Sequence, residues 1–185
     1  MNEPQEGTSP LEDGTRRHVE EAIPKGMLRG MREFAGITQA SLARQIGVTL
    51  VTVSRWESPS RPDQKPTREA FDAVTDTVIA QEQAIDAASR WIEEYYLPGE
   101  KVTLTWRRPD DPDYPAGMPA GLEDPSRSNQ ASLRLGEVLL RAGRKVRFAY
   151  PDEDPDTIDQ WTGPGTADIS TRDRISSPSC EGHRD

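Results

Sequence analysis

A chain of 185 residues holds one ordinary domain or two small ones, and 33% hydrophobic residues with 16 prolines leave a good part of it outside any core. No apolar run reaches membrane-span length, the N-terminus lacks a signal peptide's apolar centre, and the single cysteine, Cys180, excludes an intrachain disulfide, so a reducing cytoplasm is the expected home. The net charge of −9 argues against a nucleic-acid partner until it is divided along the chain: residues 25–65 carry 7 basic and 3 acidic groups, while residues 66–100 carry 2 and 8. DNA responds to the field within about 8 Å in physiological salt, so the local excess of positive charge is what matters.

Residues 1–23 mix Glu, Pro, Gly, Thr and Arg without periodicity and read as a disordered arm, with Arg16 and Arg17 as its only basic groups. Pro24 suits a first helical turn, and Met27, Leu28, Met31, Phe34 and Ala35 recur at helical spacing, which predicts a first helix ending near Ala35. Thr38 then offers an N-cap, Leu42, Ala43 and Ile46 form an apolar face, and Gly47 permits the left-handed turn that ends the helix. Thr49 offers another N-cap two residues later. Val53 and Trp56 form the inner side of a third, short helix, and Leu50, Val51, Ser54 and Arg55 its outer side. Two helices joined by so short a turn cross steeply, and Ala43 is small enough to lie beneath the crossing. This is a helix-turn-helix pattern.

Residues 58–66 form a proline-punctuated loop carrying Arg61 and Lys65, both within reach of a phosphate if the third helix lies in a groove. Thr67 caps a long helical pattern that runs to about Tyr96. Phe71, Val78, Ile85 and Ile92 recur every seven residues, with Val74, Ala88 and Tyr95 between them and Gln81 as the polar exception. Beyond Val78 such a helix outruns a small bundle, and a second subunit or a second domain must cover it. Lys101 to Arg107 alternates like a strand, and residues 108–128 read as a loop or flexible insertion. Ser128 or Asn129 then caps a helix containing Leu133, Leu135, Val138, Leu139 and Leu140, and Lys145 to Tyr150 alternates again. Strand–helix–strand order favours a parallel pair with a crossover helix. Residues 151–185 return to Asp, Pro, Ser and Gly and read as a disordered acidic tail, with the acidic run 151–156 as a conceivable competitor of DNA for the basic face.

The run GITQASLARQIGVTLVTVSRWE resembles the Cro/XRE-type DNA-binding domain of phage and bacterial repressors, and the resemblance covers residues 25–66. It implies a backbone-phosphate role for Gln39, base or groove contacts for Leu50, Val51 and Arg55, and a buried ion pair between Arg32 and Glu57. The family often has polar residues where Leu50 and Val51 stand, so contacts to thymine methyls replace hydrogen-bonded reading there. The candidate DNA-binding set is Thr38, Gln39, Thr49, Leu50, Val51, Thr52, Ser54, Arg55, Arg61 and Lys65. Element order through residue 150 also resembles a small class of regulators in which a strand–helix–strand domain dimerises.

The expected architecture is mainly α: a disordered arm (1–23), a lambda-repressor-like helix-turn-helix bundle (24–66), a long connecting helix (67–98), a small α+β strand–helix–strand dimerisation domain (99–150) and a disordered acidic tail (151–185). The expected function is a homodimeric transcriptional repressor that reads an inverted repeat in double-stranded DNA. An antitoxin-like module that binds a toxin and represses its own operon is the alternative, and an inducer is a further conceivable partner. RNA binding by the basic segment Arg141 to Arg147 has little aromatic support beyond Phe148 and Tyr150. No enzyme is expected, because the ordered part lacks His and Cys and no glycine-rich loop follows a strand. No membrane, cofactor or metal is expected either, since His18 and His183 lie in opposite tails.

Overall fold

The computed structural model describes residues 23–111 and 114–162. The expectations for residues 1–22, for residues 163–185, and for His18, Cys180 and His183 fall outside that range. The described chain runs α1 (Lys25–Phe34), α2 (Gln39–Gln45), α3 (Leu50–Glu57), α4 (Arg68–Tyr95), β1 (Lys101–Thr105), α5 (Pro125–Arg141), β2 (Lys145–Ala149) and β3 (Thr157–Ile158). It is a mainly helical protein with one long helix and a small parallel sheet.

The three threonine caps act as the sequence suggests. The hydroxyls of Thr38, Thr49 and Thr67 accept from the backbone N–H groups of Ser41, Thr52 and Ala70. α5 begins earlier than expected: its cap is Asp124, whose carboxylate accepts from Arg127 N–H at 3.0 Å, and Pro125 opens the first turn. Ser128 and Asn129, read from sequence as caps, lie one turn inside. Their side chains serve tertiary partners instead: Ser128 Oγ accepts from the indole of Trp161, and the Asn129 amide clasps the backbone N–H and C=O of Arg107.

α4 is continuous over 28 residues, about 42 Å. Its first half closes a core of Leu28, Ala35, Ile37, Leu42, Ala43, Val53 and Trp56. Its second half, with Ile85, Ala88 and Ile92, enters a separate core with Val102, Leu104, Leu122, Leu135, Leu139 and Trp161. The C-terminal domain of the same chain therefore covers the helix where it outruns the bundle. The buried stripe is Ala70, Val74, Thr77, Gln81, Ile85, Ala88 and Ile92. Three members of the expected seam are displaced from it: Phe71 and Val78 are half-buried and Tyr95 is 47% exposed, while Tyr96 is buried. Small residues face inward because the neighbouring helices lie close.

Gln81 sits between the two cores and is fully buried. Its Nε2 donates to Ala35 O at 2.9 Å and Gly121 O at 3.0 Å, and its Oε1 accepts from Arg134 at 2.8 Å. A buried amide satisfied on all sides costs little, and it joins the two halves of the molecule with directional bonds. Two glycines permit the same close junction. A Cβ on Gly36 (φ 69°) would lie 2.6 Å from Ser126 O, and one on Gly121 (φ 83°) 2.9 Å from Thr77 O.

The sheet has order β2-β1-β3, all parallel, with Lys101↔Lys145 through Thr105↔Ala149 in register and Leu104 opposite both Phe148 and Ile158. Two sequence expectations are corrected here. Residues 108–128 include a packed segment: Leu122 is fully buried and its carbonyl accepts from the Tyr114 hydroxyl. Residues 151–162 are not tail but the third strand and its anchor. Trp161 joins the core, and Gln160, 1% exposed, clamps Thr105 by bonds to both its N–H and its C=O. This supplies the apolar cover that two strands and one helix lack. The acidic run pairs with arginines of the same domain, Asp152 with Arg108 and Asp154 with Arg147.

Candidate nucleic-acid interface

α2 and α3 are joined across Ile46–Thr49, where Gly47 takes φ 70°. Ala43 is buried beneath the crossing, and Val53 and Trp56 turn α3's inner face into the core. That orientation leaves Leu50 50% and Val51 55% exposed, with Ser54 and Arg55 exposed beside them. Arg55 is in the last turn of α3. The four outward residues expected from the sequence thus share one solvent-facing surface on a single short helix.

The other candidates divide by what their side chains already do. Thr49 and Thr52 hydroxyls bond each other at 2.9 Å while Thr49 caps α3, so both are committed to the helix start. Thr38 likewise caps α2. Gln39 donates through Nε2 to Glu57 Oε2 at 2.8 Å, which places it in the ion-pair network and leaves its carbonyl oxygen unused by that bond. Arg61 and Lys65 are exposed on the loop after α3. Arg29 is drawn aside by Glu33, with Nε to Oε1 at 2.9 Å.

The Arg32–Glu57 pair is present and buried. Arg32 donates from Nε to Glu57 Oε1 at 2.6 Å and from Nη2 to Oε2 at 2.9 Å, and its Nη1 donates to Ile37 O at 2.6 Å. Burial by itself would raise the Glu57 pKa, but the hydrogen bonds from Arg32 and Gln39 and the nearby guanidinium charges outweigh it. The carboxyl is held below its ordinary value. The pair ties the end of α3 to α1 and α2, so the orientation of the outward face is fixed by a buried, satisfied network.

Three further residues shape this surface without any local sequence signal. Lys25 Nζ donates to Arg55 O at 3.0 Å and also to Gln64 O, holding the 58–66 loop against the end of α3. Arg127, 6% exposed, reaches from α5 to Gln45 Oε1 at 2.9 Å and Ser41 Oγ at 3.2 Å on α2. Ser126 Oγ donates to Gly36 O at 2.8 Å. The C-terminal domain is therefore fastened to α2. Beside that joint runs an open groove of about 530 Å³ between α2 and the first turns of α5.

The basic segment considered for RNA is partly engaged within the fold, with Arg141, Lys145 and Arg147 exposed. Arg141 pairs with Glu137, Arg144 donates to the carbonyls of Tyr96 and Leu97, and Phe148 packs half-buried against the core. Among the described residues no group of three or more His, Cys, Asp or Glu could hold a metal, and no helix is long and apolar enough to cross a membrane. Neither a protein-family model nor a curated protein matches this chain.

Proposed function

We propose that the protein is a sequence-specific regulator of transcription that binds double-stranded DNA through α3, of the Cro/XRE type that residues 25–66 resemble. One observation carries the reading. An eight-residue helix, buried on one side and locked by the Arg32–Glu57 pair, presents Leu50, Val51, Ser54 and Arg55 together to solvent. Two large apolar side chains beside an arginine, on a helix slim enough for the major groove, suit thymine methyls and the O6 and N7 acceptors of guanine. Arg61 and Lys65 extend the surface toward phosphates.

The regulator acts as a cytoplasmic homodimer on an inverted repeat and represses by occupying promoter DNA, because one short helix reads too few base pairs to select a genomic site. The long helix needs no partner, but the sheet offers one a place. The outer edge of β2 pairs with no strand among the described residues. Leu133 and Leu140 are 44% and 57% exposed on α5, flanking Gly136, which rests on the Phe148 ring. Antiparallel joining of two β2 edges across a twofold axis would bury these leucines and satisfy the edge. Half-sites would then lie about 34 Å apart or a multiple of that.

Selection of duplexes from a random pool by the full chain tests the reading. Enrichment of an inverted repeat is expected, and recovery of no preferred sequence would reject sequence-specific regulation. Light scattering at micromolar concentration tests assembly. A stable monomer that still protects a whole palindrome would reject the dimer.

A further inference from the structure

The groove between α2 and the C-terminal domain is lined by Thr38 and Arg44 on one side and by Trp106, Asp124 and Gln130 on the other. We propose that it takes the sugar–phosphate backbone of DNA flanking the half-site, so that the C-terminal domain contributes a sequence-independent contact of its own. The proposal rests on the DNA-binding reading above.

Position comes first. Thr38 belongs both to the groove and to the start of α2, and the next residue, Gln39, is bonded to Glu57 at the end of α3. A duplex seated on α3 and reaching the start of α2 therefore passes the mouth of the groove. Charge comes second. Asp124, the one acid in the lining, caps α5 and lies 3.4 Å from the Arg127 guanidinium, which it shares with Glu123 at 2.6 Å. Arg44 is exposed and forms no ion pair among the described residues, so an unpaired cation stands in the lining, on the α2 side, free to meet a phosphate. Surface chemistry comes third. Trp106 is half-buried in a T-shaped contact with Phe148, ring centroids 5.8 Å apart, and it contributes apolar surface to the same lining as the Arg44 cation. An apolar surface and a cation in one groove suit a deoxyribose and its phosphate. The joint formed by Arg127 with Ser41 and Gln45, and by Ser126 with Gly36, holds the two walls at fixed separation. Such a contact needs no ordering on binding.

The test uses the full chain and a duplex it selects, with affinity measured against salt concentration. Arg44→Gln should weaken binding about fivefold at 0.15 M salt, the counterion-release share of one phosphate, and make the log–log salt slope shallower by about 0.9. The loss should be equal on the selected and a scrambled duplex. Gln130→Glu, nearly isosteric but anionic, should weaken binding on both duplexes as well. Arg90→Gln, which removes an exposed guanidinium that among the described residues bonds to its own helix at Asp86 O, should change neither quantity. If the wild type binds DNA and both groove variants bind with unchanged affinity and slope, the proposal is wrong and the regulator reading stands. A loss confined to particular base pairs also overturns it, since Arg44 would then be reading sequence. Absence of any DNA binding by the wild type removes the regulator reading and this one together.

Discussion

Replacing Glu57 by Ala isolates the network that orients α3. The substitution removes two carboxylate oxygens that accept three hydrogen bonds, at 2.6 and 2.9 Å from Arg32 and 2.8 Å from Gln39. Arg32, whose side chain is 9% exposed, is left as a buried cation. Breaking such a pair costs about 3–5 kcal/mol. Arg32 keeps its bond to Ile37 O and a 3.5 Å approach to Glu33, so the low end applies, about 3 kcal/mol. At about 2–4 °C per kcal/mol for a chain of this size, the melting temperature should fall by about 6–12 °C. Circular dichroism melts read this directly, and the set of selected DNA sequences should stay the same. The Arg32→Met, Glu57→Leu double variant should recover much of the loss, because it removes both charges together.

The pH dependence follows from the lowered Glu57 pKa. A depressed carboxyl contributes stability above its unfolded pKa, ordinarily 4.5, and loses it as pH falls through the lower folded value. The gap between wild type and Glu57→Ala should therefore be constant from neutrality down to about pH 4.5 and close below it. An unchanged melting temperature in Glu57→Ala, or a double variant as unstable as the two single losses combined, would refute the account.

Other expectations follow from single contacts. Arg55→Ala should weaken specific binding by about 1–3 kcal/mol and relax preference at one base pair of each half-site, whereas a uniform loss over all sequences would mark a phosphate contact. Trp161→Ala should cost about 3–5 kcal/mol in urea unfolding, since the indole is 8% exposed and bonded to Ser128; a loss under about 1 kcal/mol would place the segment outside the core. Gln81→Leu leaves the carbonyls of Ala35 and Gly121 without its donor and should cost about 1–3 kcal/mol for each group left unsatisfied, measured the same way. A leucine variant as stable as wild type would mean that those carbonyls find other partners.

What the sequence alone determined lies within reach of one helical turn or one strand. Thr38, Thr49 and Thr67 each cap a helix three residues ahead, Gly47 takes the left-handed turn, and Val53 and Trp56 point inward from α3. The alternation of β1 and β2 and the helix between them carried the parallel pairing as well. The outward face of α3 was legible for the same reason, since it is the complement of a local apolar pair.

Tertiary structure alone decided the rest. Gln81 broke the heptad pattern, yet it is a buried hub, because its partners Ala35 and Gly121 lie 46 and 40 residues away. Asp124, Ser128 and Asn129 are chemically interchangeable as caps, and only Trp161 and the Arg107 backbone fixed which of them starts α5. Residues 151–162 look like solvated tail by composition, and a two-residue strand carries no period to detect. Once β1 stands open beside them, pairing of Thr157 and Ile158 with Thr103 and Leu104 brings Trp161 over an apolar core that would otherwise face water.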